Sequence, residues 1–267
     1  MALWTRFDRP EYAESLDRRP LHPEMAASLD GLLELGGSEK VLEVGTGTGR
    51  VAVRVFPKVP TGQFIGLDPS PTLLGWARQK LNDTDNARLI RGVAESLPVR
   101  DGAVDVVVFA NVLHHLGDPS AALREARRVV KDGGRLVILD PVLREARDEL
   151  DMRLHRFIED VFRRTHGPQF RFWTLSELHA VIEHEGFAVA TAREVTLMFD
   201  GEPLDRLSKS HHWRAAWAAL ADEPRLRERF EIRYFRLEGE PPRVTGAVFY
   251  AAIGGMPGLR LYGHSPA

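Results

Sequence analysis

A carboxylate and three alternating glycines follow an apolar run near the start of the chain. From residue 41 the sequence reads Val-Leu-Glu-Val-Gly-Thr-Gly-Thr-Gly-Arg, so that Glu43 precedes Gly45, Gly47 and Gly49. Glycines at this spacing permit a tight turn and a close approach of a ligand to the backbone, and open α/β sheets bind ligands at the carboxyl ends of their strands. A dinucleotide-binding loop would require glycine in place of Arg50, so a dehydrogenase is disfavoured.

A second carboxylate, Asp68, closes the next apolar run. A nucleoside bound over the glycine loop would place its ribose there, and one carboxylate can accept hydrogen bonds from both ribose hydroxyls, each contributing about 1.5–3 kcal/mol before desolvation. Asp68 also precedes Pro69-Ser70-Pro71, where it can cap the next helix at about 1 kcal/mol. The two roles are compatible.

Two adjacent histidines, His114 and His115, follow a later apolar run. An imidazole at a strand end can orient or deprotonate a nucleophile, whereas an imidazole bonded to the backbone would only hold the loop. Asp140, at the end of another run, is a third candidate base. His179, Glu183 and His184 are the acidic and imidazole groups nearest to metal-ligand spacing, and we interpret them as the exposed face of a helix. No metal site is expected.

The elements that would position these residues alternate regularly. Short apolar runs and longer amphipathic stretches between residues 40 and 141 predict strands at 41–44, 64–67, 87–90, 104–110 and 135–139, and helices at 23–35, 49–56, 71–81 and 119–130. Several of the strands are apolar on both faces, as parallel strands are when helices cover both sides of a sheet.

The pattern changes after Pro141. A charged helical run over 144–164 looks like an insertion, and Thr174 with Glu177 forms a capping box that begins another helix. Residues 188–198 and 244–253 are predicted strands, 204–229 is mostly helical, and 230–237 alternates like a strand that competes with 188–198 for one place in a sheet.

The glycine segment, Glu-x-Gly-x-Gly-x-Gly, resembles motif I of the class I methyltransferases that use S-adenosylmethionine. The segments 64–68, 91–98, 106–119 and 131–137 follow in the order of that family and are similar to its small-molecule branch, which includes the ubiquinone and menaquinone C-methyltransferases. The resemblance covers roughly residues 40–141, with a weaker echo at 173–187. It implies an α/β fold with a Rossmann-like seven-stranded sheet, helices on both faces and helical insertions over the active site.

The resemblance also implies which residues hold the cofactor, S-adenosyl-L-methionine. They are Glu43, Gly45, Thr46, Gly47, Gly49, Asp68, Pro69, Ala94, Glu95 and Asn111. Many relatives carry aspartate at the position of Val93 to bind the adenine amino group. Because valine cannot accept that hydrogen bond, the adenine would depend here on backbone groups near Ala94 and on apolar contacts.

The charge and composition of the chain limit which classes of partner and which kinds of site are expected. The chain has 36 basic and 38 acidic residues among 267, a net charge of −2, without the basic surplus that binds a phosphate backbone. The Asn-Pro-Pro-Tyr motif of enzymes that methylate nucleobase amino groups is replaced by Asn-Val-Leu-His from residue 111, so nucleic acid is not expected as a partner. Protein substrates are possible but unsupported. The absence of cysteine excludes disulfides, thiolate metal sites and thiol nucleophiles.

Neither a signal peptide at residues 1–10 nor a membrane span is visible, so a cytoplasmic location is expected. We predict one domain over 1–267, with a core of 36–141 and 174–256, a helical lid at 142–173 and a second insertion at 201–229. Aromatic and basic residues of the insertions could line an acceptor pocket, although most are expected to be packing: His155, Phe157, Phe162, Phe170, Phe172, Trp173, His211, His212, Trp213 and Trp217.

The function predicted from these observations is transfer of a methyl group to a small-molecule acceptor, with His114 or His115 as a possible base. A noncatalytic module that binds the same nucleoside is the alternative. Neither the acceptor and its accepting atom nor the oligomeric state follows from the sequence.

Overall fold

The computed structural model describes residues 5, 7–19, 21–81, 85–207 and 209–257. Part of the amino-terminal segment considered for a signal peptide, including Arg6, lies outside them. None of the helices in these ranges combines the length and the apolar character that crossing a bilayer requires.

An eight-stranded sheet forms the centre of the protein. Its order is β3-β2-β1-β4-β5-β8-β6, and β7 pairs with β8 beside this path. The strands are β1 Lys40–Val44, β2 Gln63–Asp68, β3 Ala87–Arg91, β4 Val104–Ala110, β5 Val130–Val142, β6 Phe187–Pro203, β7 Phe235–Glu238 and β8 Arg243–Pro257. The first five are parallel, and β8 is antiparallel to its neighbours. The predicted fold class is confirmed, with the short β7 as an eighth strand.

Helices cover the sheet and its insertions. They are α1 Pro10–Asp17, α2 Pro23–Leu33, α3 Ala52–Val55, α4 Pro71–Lys80, α5 Pro119–Val129, α6 Glu149–His166, α7 Leu175–His184, α8 Ser210–Ala219 and α9 Pro224–Arg233. Side-chain caps fix several starts: Ser70 accepts from the Leu73 N–H, Asp118 from Ala121, and the predicted capping box of Thr174 and Glu177 begins α7.

Two local predictions differ from the structure, and one helix was missed. The helix expected over 49–56 is shortened to α3, because the glycine loop continues as turns up to Val51. The segment 230–237 divides into the end of α9 and β7, and β7 does not compete with β6, since they pair with opposite edges of β8. Helix α1 was not predicted.

The insertions pack together through aromatic side chains. Phe162 of α6 contacts Phe170, Phe172 and Trp213, with ring centroids 4.8–5.2 Å apart. These rings are at most 7% exposed. Most of the aromatic residues considered as pocket lining are therefore core, as expected, and they hold α6 against α8.

Candidate functional site

A cavity of about 800 Å³ lies where β1, β2 and β4 end. Most of the predicted cofactor residues line it: Glu43, Gly45, Thr46, Gly47, Asp68, Pro69, Ala94, Glu95 and Asn111. Helix α1 contributes Tyr12, Ser15 and Leu16, and the insertions contribute His166, Lys209, His211 and His212. The carboxyl ends of parallel strands thus form the floor, and segments from outside the core cover it.

The glycine loop leaves no room for side chains at its first position. Gly45 has φ +74°, and a Cβ there would lie 2.4 Å from Cγ2 of Val112. Gly47 has φ +55° and more space, with Leu16 Cδ2 3.5 Å from such a Cβ. Gly49 does not line the cavity, because it faces Ala77 of α4. The lack of a side chain at Gly49 allows close packing against α4, whereas at Gly45 it allows the conformation of the loop.

Asp68 anchors the loop and faces the cavity. Its Oδ2 accepts a hydrogen bond from the Gly47 N–H at 2.9 Å, and its Oδ1 accepts one from the Ser70 N–H at 2.9 Å. The side chain is 6% exposed, and burial raises its pKa to about 6 although both N–H groups favour the ionised form. This carboxylate therefore holds the glycine loop and begins α4 while it lines the cavity.

Glu43 is a buried carboxyl group below the same loop. It accepts a hydrogen bond from Thr46 Oγ1 at 2.6 Å, and burial, with a smaller effect from Asp68, raises its pKa to about 8. Burial disfavours the ionised forms of both Glu43 and Asp68. A ligand that brings positive charge and hydrogen-bond donors would stabilise these forms and is therefore favoured.

S-adenosylmethionine fits these two acceptors, because it carries a sulfonium, an ammonium and two ribose hydroxyls. Glu43 and the glycine loop would hold its methionine portion, and Asp68 its ribose. On the adenine side, Ala94 and Glu95 line the cavity, and Val93 is 37% exposed. Glu125 accepts the Leu97 N–H at 2.7 Å and fixes this segment from α5.

His114 lies outside the cavity lining and is fully buried. Its Nδ1 lies 2.7 Å from Oδ1 of Asp140, and its Nε2 lies 2.9 Å from Nζ of Lys209. Burial and the charge of Lys209 lower the pKa of His114 well below its usual value. The imidazole is therefore neutral: Nδ1–H donates to the carboxylate, and Nε2 accepts from the ammonium.

Asp140 holds the loop that carries both histidines. Its Oδ2 accepts from the N–H groups of Val112 and Leu113 at 2.8 and 3.0 Å. Burial raises the pKa of Asp140, while Lys209 and the backbone donors oppose that shift. With all its oxygens directed at the loop and at His114, Asp140 stabilises the site and does not line the cavity.

His115, in contrast, lines the cavity. Its Nδ1 has no hydrogen-bond partner among the residues that the structure describes, and its ring lies 4.9 Å from Phe7 and 5.2 Å from His166 between centroids. Burial, followed by the neighbouring His114 and Lys209, lowers its pKa well below the usual value. The neutral imidazole of His115 is thus part of the cavity wall, and its Nδ1 is buried.

Sequence reasoning missed Tyr12 and Arg19 of the amino-terminal segment, and Lys209. Pro10 after Arg9 was a signal for α1, because proline is favoured in a first helical turn. The signal for Lys209 was compositional: it is one of only five lysines beside 31 arginines, and the chain uses arginine at most other basic positions.

Residues 42–138 match the family model described as a methyltransferase domain. A demethylmenaquinone methyltransferase of Thermotoga maritima is 41% identical over 102 residues, which cover 38% of this chain and 43% of the relative. The chain spans 32%, 43% and 55% of the lengths of three curated relatives that it matches.

Solved structures show the same fold. The YcgJ protein of Bacillus subtilis is similar with a TM-score of 0.69 at 22% identity, over 89% of this chain and 100% of that chain. A geranyl diphosphate C-methyltransferase of Streptomyces coelicolor, solved with Mg²⁺, geranyl diphosphate and S-adenosyl-L-homocysteine, gives 0.58 at 14% identity, over 87% and 78%. The resemblance to class I methyltransferases is confirmed for the domain at 42–138.

Proposed function

We propose that the protein transfers the methyl group of S-adenosylmethionine to a small-molecule acceptor. The observation that carries the proposal is the placement of Glu43, the glycine loop and Asp68 around one cavity of about 800 Å³ at the strand ends. When bound, the cofactor supplies an already activated methyl group. The protein then has to orient two ligands and exclude water, effects that together can be worth about 7–11 kcal/mol.

Different residues would bind the cofactor and close the cavity. Asp68 and Glu43 would hold the cofactor at the sheet, while α1 and the insertions close the cavity from the opposite side with Tyr12, His166 and His212. A covered cavity of this size favours a small acceptor over a nucleic acid or a folded protein. The net charge of −2 agrees with that choice. The single-domain organisation, with lid 142–173 and second insertion 201–229, stays part of the proposal.

His115 is the better candidate for a base of the two adjacent histidines. His115 lines the cavity, whereas both ring nitrogens of His114 are engaged by Asp140 and Lys209. A neutral imidazole can accept the proton that a phenol, a hydroxyl or an acidic carbon must lose. A sulfur or amine acceptor would need no such base in the methyl-transfer step.

Calorimetry with S-adenosylhomocysteine tests the cofactor, and formation of S-adenosylhomocysteine over a panel of acceptors tests the reaction. We expect binding of S-adenosylhomocysteine and none of NADH. Binding without turnover on any acceptor would favour the noncatalytic alternative, and tight binding of NADH alone would refute the proposal.

Separate His115→Ala and His114→Ala variants test the base once an acceptor is found. His115→Ala should lower turnover by about 10²-fold or more at unchanged nucleoside affinity. Near-full turnover of both variants would show that the protein acts by positioning alone.

A further inference from the structure

The large cavity continues into a narrow apolar chamber of about 70 Å³. The chamber is lined by Met25, Phe172, Leu197, Phe199, Trp213 and Phe249, among others. Five residues line both spaces: Leu16, Arg19, Arg50, Asn111 and Lys209. Three of these five are cations and none is a carboxylate, so the passage between the spaces is positively charged.

Lys209 is the cation at this passage whose position is fixed most firmly. Its Nζ lies 2.9 Å from Nε2 of His114, which is itself held by Asp140 at 2.7 Å. The lysine lies at the start of α8 with φ +57°, and its side chain reaches His114 in the loop after β4. An ammonium has three N–H donors. His114 accepts one of them, which leaves donors for a ligand in the cavity.

Buried polar atoms near this passage also lack partners. His212 is 5% exposed and lines the cavity, yet neither ring nitrogen has a hydrogen-bond partner among the described residues. The same holds for Nε of Arg50. Buried polar groups are normally hydrogen-bonded, so these unpaired atoms would be stabilised by a polar partner if a ligand reached them.

We propose that the acceptor is an organic anion, a phenolate or a carboxylate, whose ionised oxygen binds Lys209 while an apolar part enters the chamber lined by Phe172 and Trp213. This inference rests on the proposed function and specifies its substrate class. Lys209 is then a substrate-binding residue, and His114 and Asp140 are positioning residues that act through it.

The charges around Lys209 agree with this assignment. Asp140 is the carboxylate that opposes the burial of the ammonium, and it already accepts hydrogen bonds from the loop and from His114. Arg19 adds positive charge from the α1 side, and burial lowers the pKa of Lys209 to about 8. The neighbouring imidazoles of His114, His115, His166 and His212 all have lowered pKa values and are neutral. A bound anion would therefore relieve an excess of positive charge.

The test compares three related aromatic probes: 4-nitrophenol, 4-nitrobenzoate and the neutral 4-nitrobenzyl alcohol. Their affinities are measured by calorimetry with and without saturating S-adenosylhomocysteine, at a pH above the pKa of both acids. We expect the anions to bind roughly 10-fold or more tightly than the alcohol, the value of one charge-assisted hydrogen bond. The absorbance of nitrophenol should also show that it is ionised at a lower pH when bound than when free.

Four variants separate the alternatives. Lys209→Met should abolish the preference for anions, and Lys209→Arg should retain part of it. His114→Asn, which keeps the lysine but removes its acceptor, should give an intermediate preference and a smaller shift of the nitrophenol titration. Lys131→Met is the matched control, because Lys131 pairs with Asp105 at the start of β4 and lies outside both cavities. It should behave as wild type.

The inference is overturned if the alcohol binds as well as the anions, if Lys209→Met keeps the preference, or if none of the probes binds. A loss of S-adenosylhomocysteine affinity in Lys209→Met, with the anion preference unchanged, would place Lys209 at the methionine carboxylate and would also overturn it. Failure of wild type to bind S-adenosylhomocysteine would refute the proposed function instead. The probe affinities measured without the nucleoside would still test whether the anion site exists.

Discussion

Replacing Asp68 by asparagine should stabilise the free protein and weaken its binding of the cofactor. Burial raises the pKa of this carboxyl from 3.8 to about 6. At neutral pH, where the group is ionised, folding therefore carries a penalty equivalent to about two pKa units. At 1.36 kcal/mol per unit, this corresponds to about 3 kcal/mol. Asparagine removes the charge and keeps one oxygen that can accept from Gly47 or Ser70. We expect the free energy of unfolding to rise by up to about 3 kcal/mol at pH 7.

The pH dependence fixes the sign of this effect. An acid whose pKa is higher in the folded state binds more protons there, so its contribution to stability is lost as pH rises from about 4 to about 6. The stability difference between the variant and wild type should therefore be small near pH 4 and largest above pH 6. Urea unfolding followed by circular dichroism at several pH values measures it.

Affinity should move in the opposite direction. The amide cannot accept charge-assisted hydrogen bonds from both ribose hydroxyls, and S-adenosylhomocysteine should bind about 10- to 150-fold more weakly by calorimetry. Wild-type affinity should also fall as pH drops below about 6, because Asp68 becomes protonated in the free protein. The variant should lack this step.

Asp105→Asn is the matched control on the same sheet. Asp105 accepts a hydrogen bond from the Lys40 N–H and pairs with Lys131 at the opposite ends of the strands. Burial alone would raise its pKa, but the hydrogen bonds from Lys131 and Lys40 and the charges of these lysines together lower it. Its replacement should destabilise the protein without changing the nucleoside affinity. An Asp68→Asn variant that is less stable than wild type at pH 7 and binds S-adenosylhomocysteine equally well would refute this reasoning.

Three further predictions concern the loop, the buried carboxylate and the lid. Gly45→Ala should abolish calorimetric binding of S-adenosylhomocysteine, because its Cβ would meet Val112 at 2.4 Å, whereas Gly47→Ala should weaken binding less; equal losses would contradict this. Asp140→Leu should lower the free energy of unfolding in urea by about 1–3 kcal/mol for each of the N–H groups of Val112 and Leu113, since it leaves both without their acceptor; a total change below about 1 kcal/mol would argue against that role. Hydrogen exchange of 149–166 should slow when nucleoside and acceptor are both bound, because α6 would then close over the cavity. Equal protection in all states would show that α6 does not act as a lid.

Much of the sheet and the cofactor side of the cavity could be predicted from local sequence. The run 106–110 is apolar on both faces because β1 and β5 flank it and helices cover it, so consecutive apolar residues predict its burial. Asp68 and the glycine loop are separated by one strand–helix–strand unit, and the order of parallel strands brings their ends together. Such neighbours follow from the fold class once it is known.

The acceptor side could not be predicted in the same way. Lys209 meets His114 across 95 residues, and nothing periodic connects the two positions. Helix α1 is only eight residues long, with a charged exterior and one fully buried residue, Ala13, so it gives a weak amphipathic signal. Both contacts depend on how insertions pack over the sheet, which is decided by tertiary contacts instead of local propensity.

The arrangement of β8 has a consequence for the order in which the protein can be made. β8 lies between β5 and β6, pairs with β6 along almost its whole length, and holds β7 at the edge that β5 leaves open. During synthesis, β6 and β7 emerge before the only strand that they pair with in the described part of the chain. A nascent chain that has reached residue 242 therefore carries an uncovered edge on β5 and two strands without partners, a state prone to aggregation. Ribosome-bound chains should become resistant to protease beyond β5 only after residues 243–257 have left the exit tunnel.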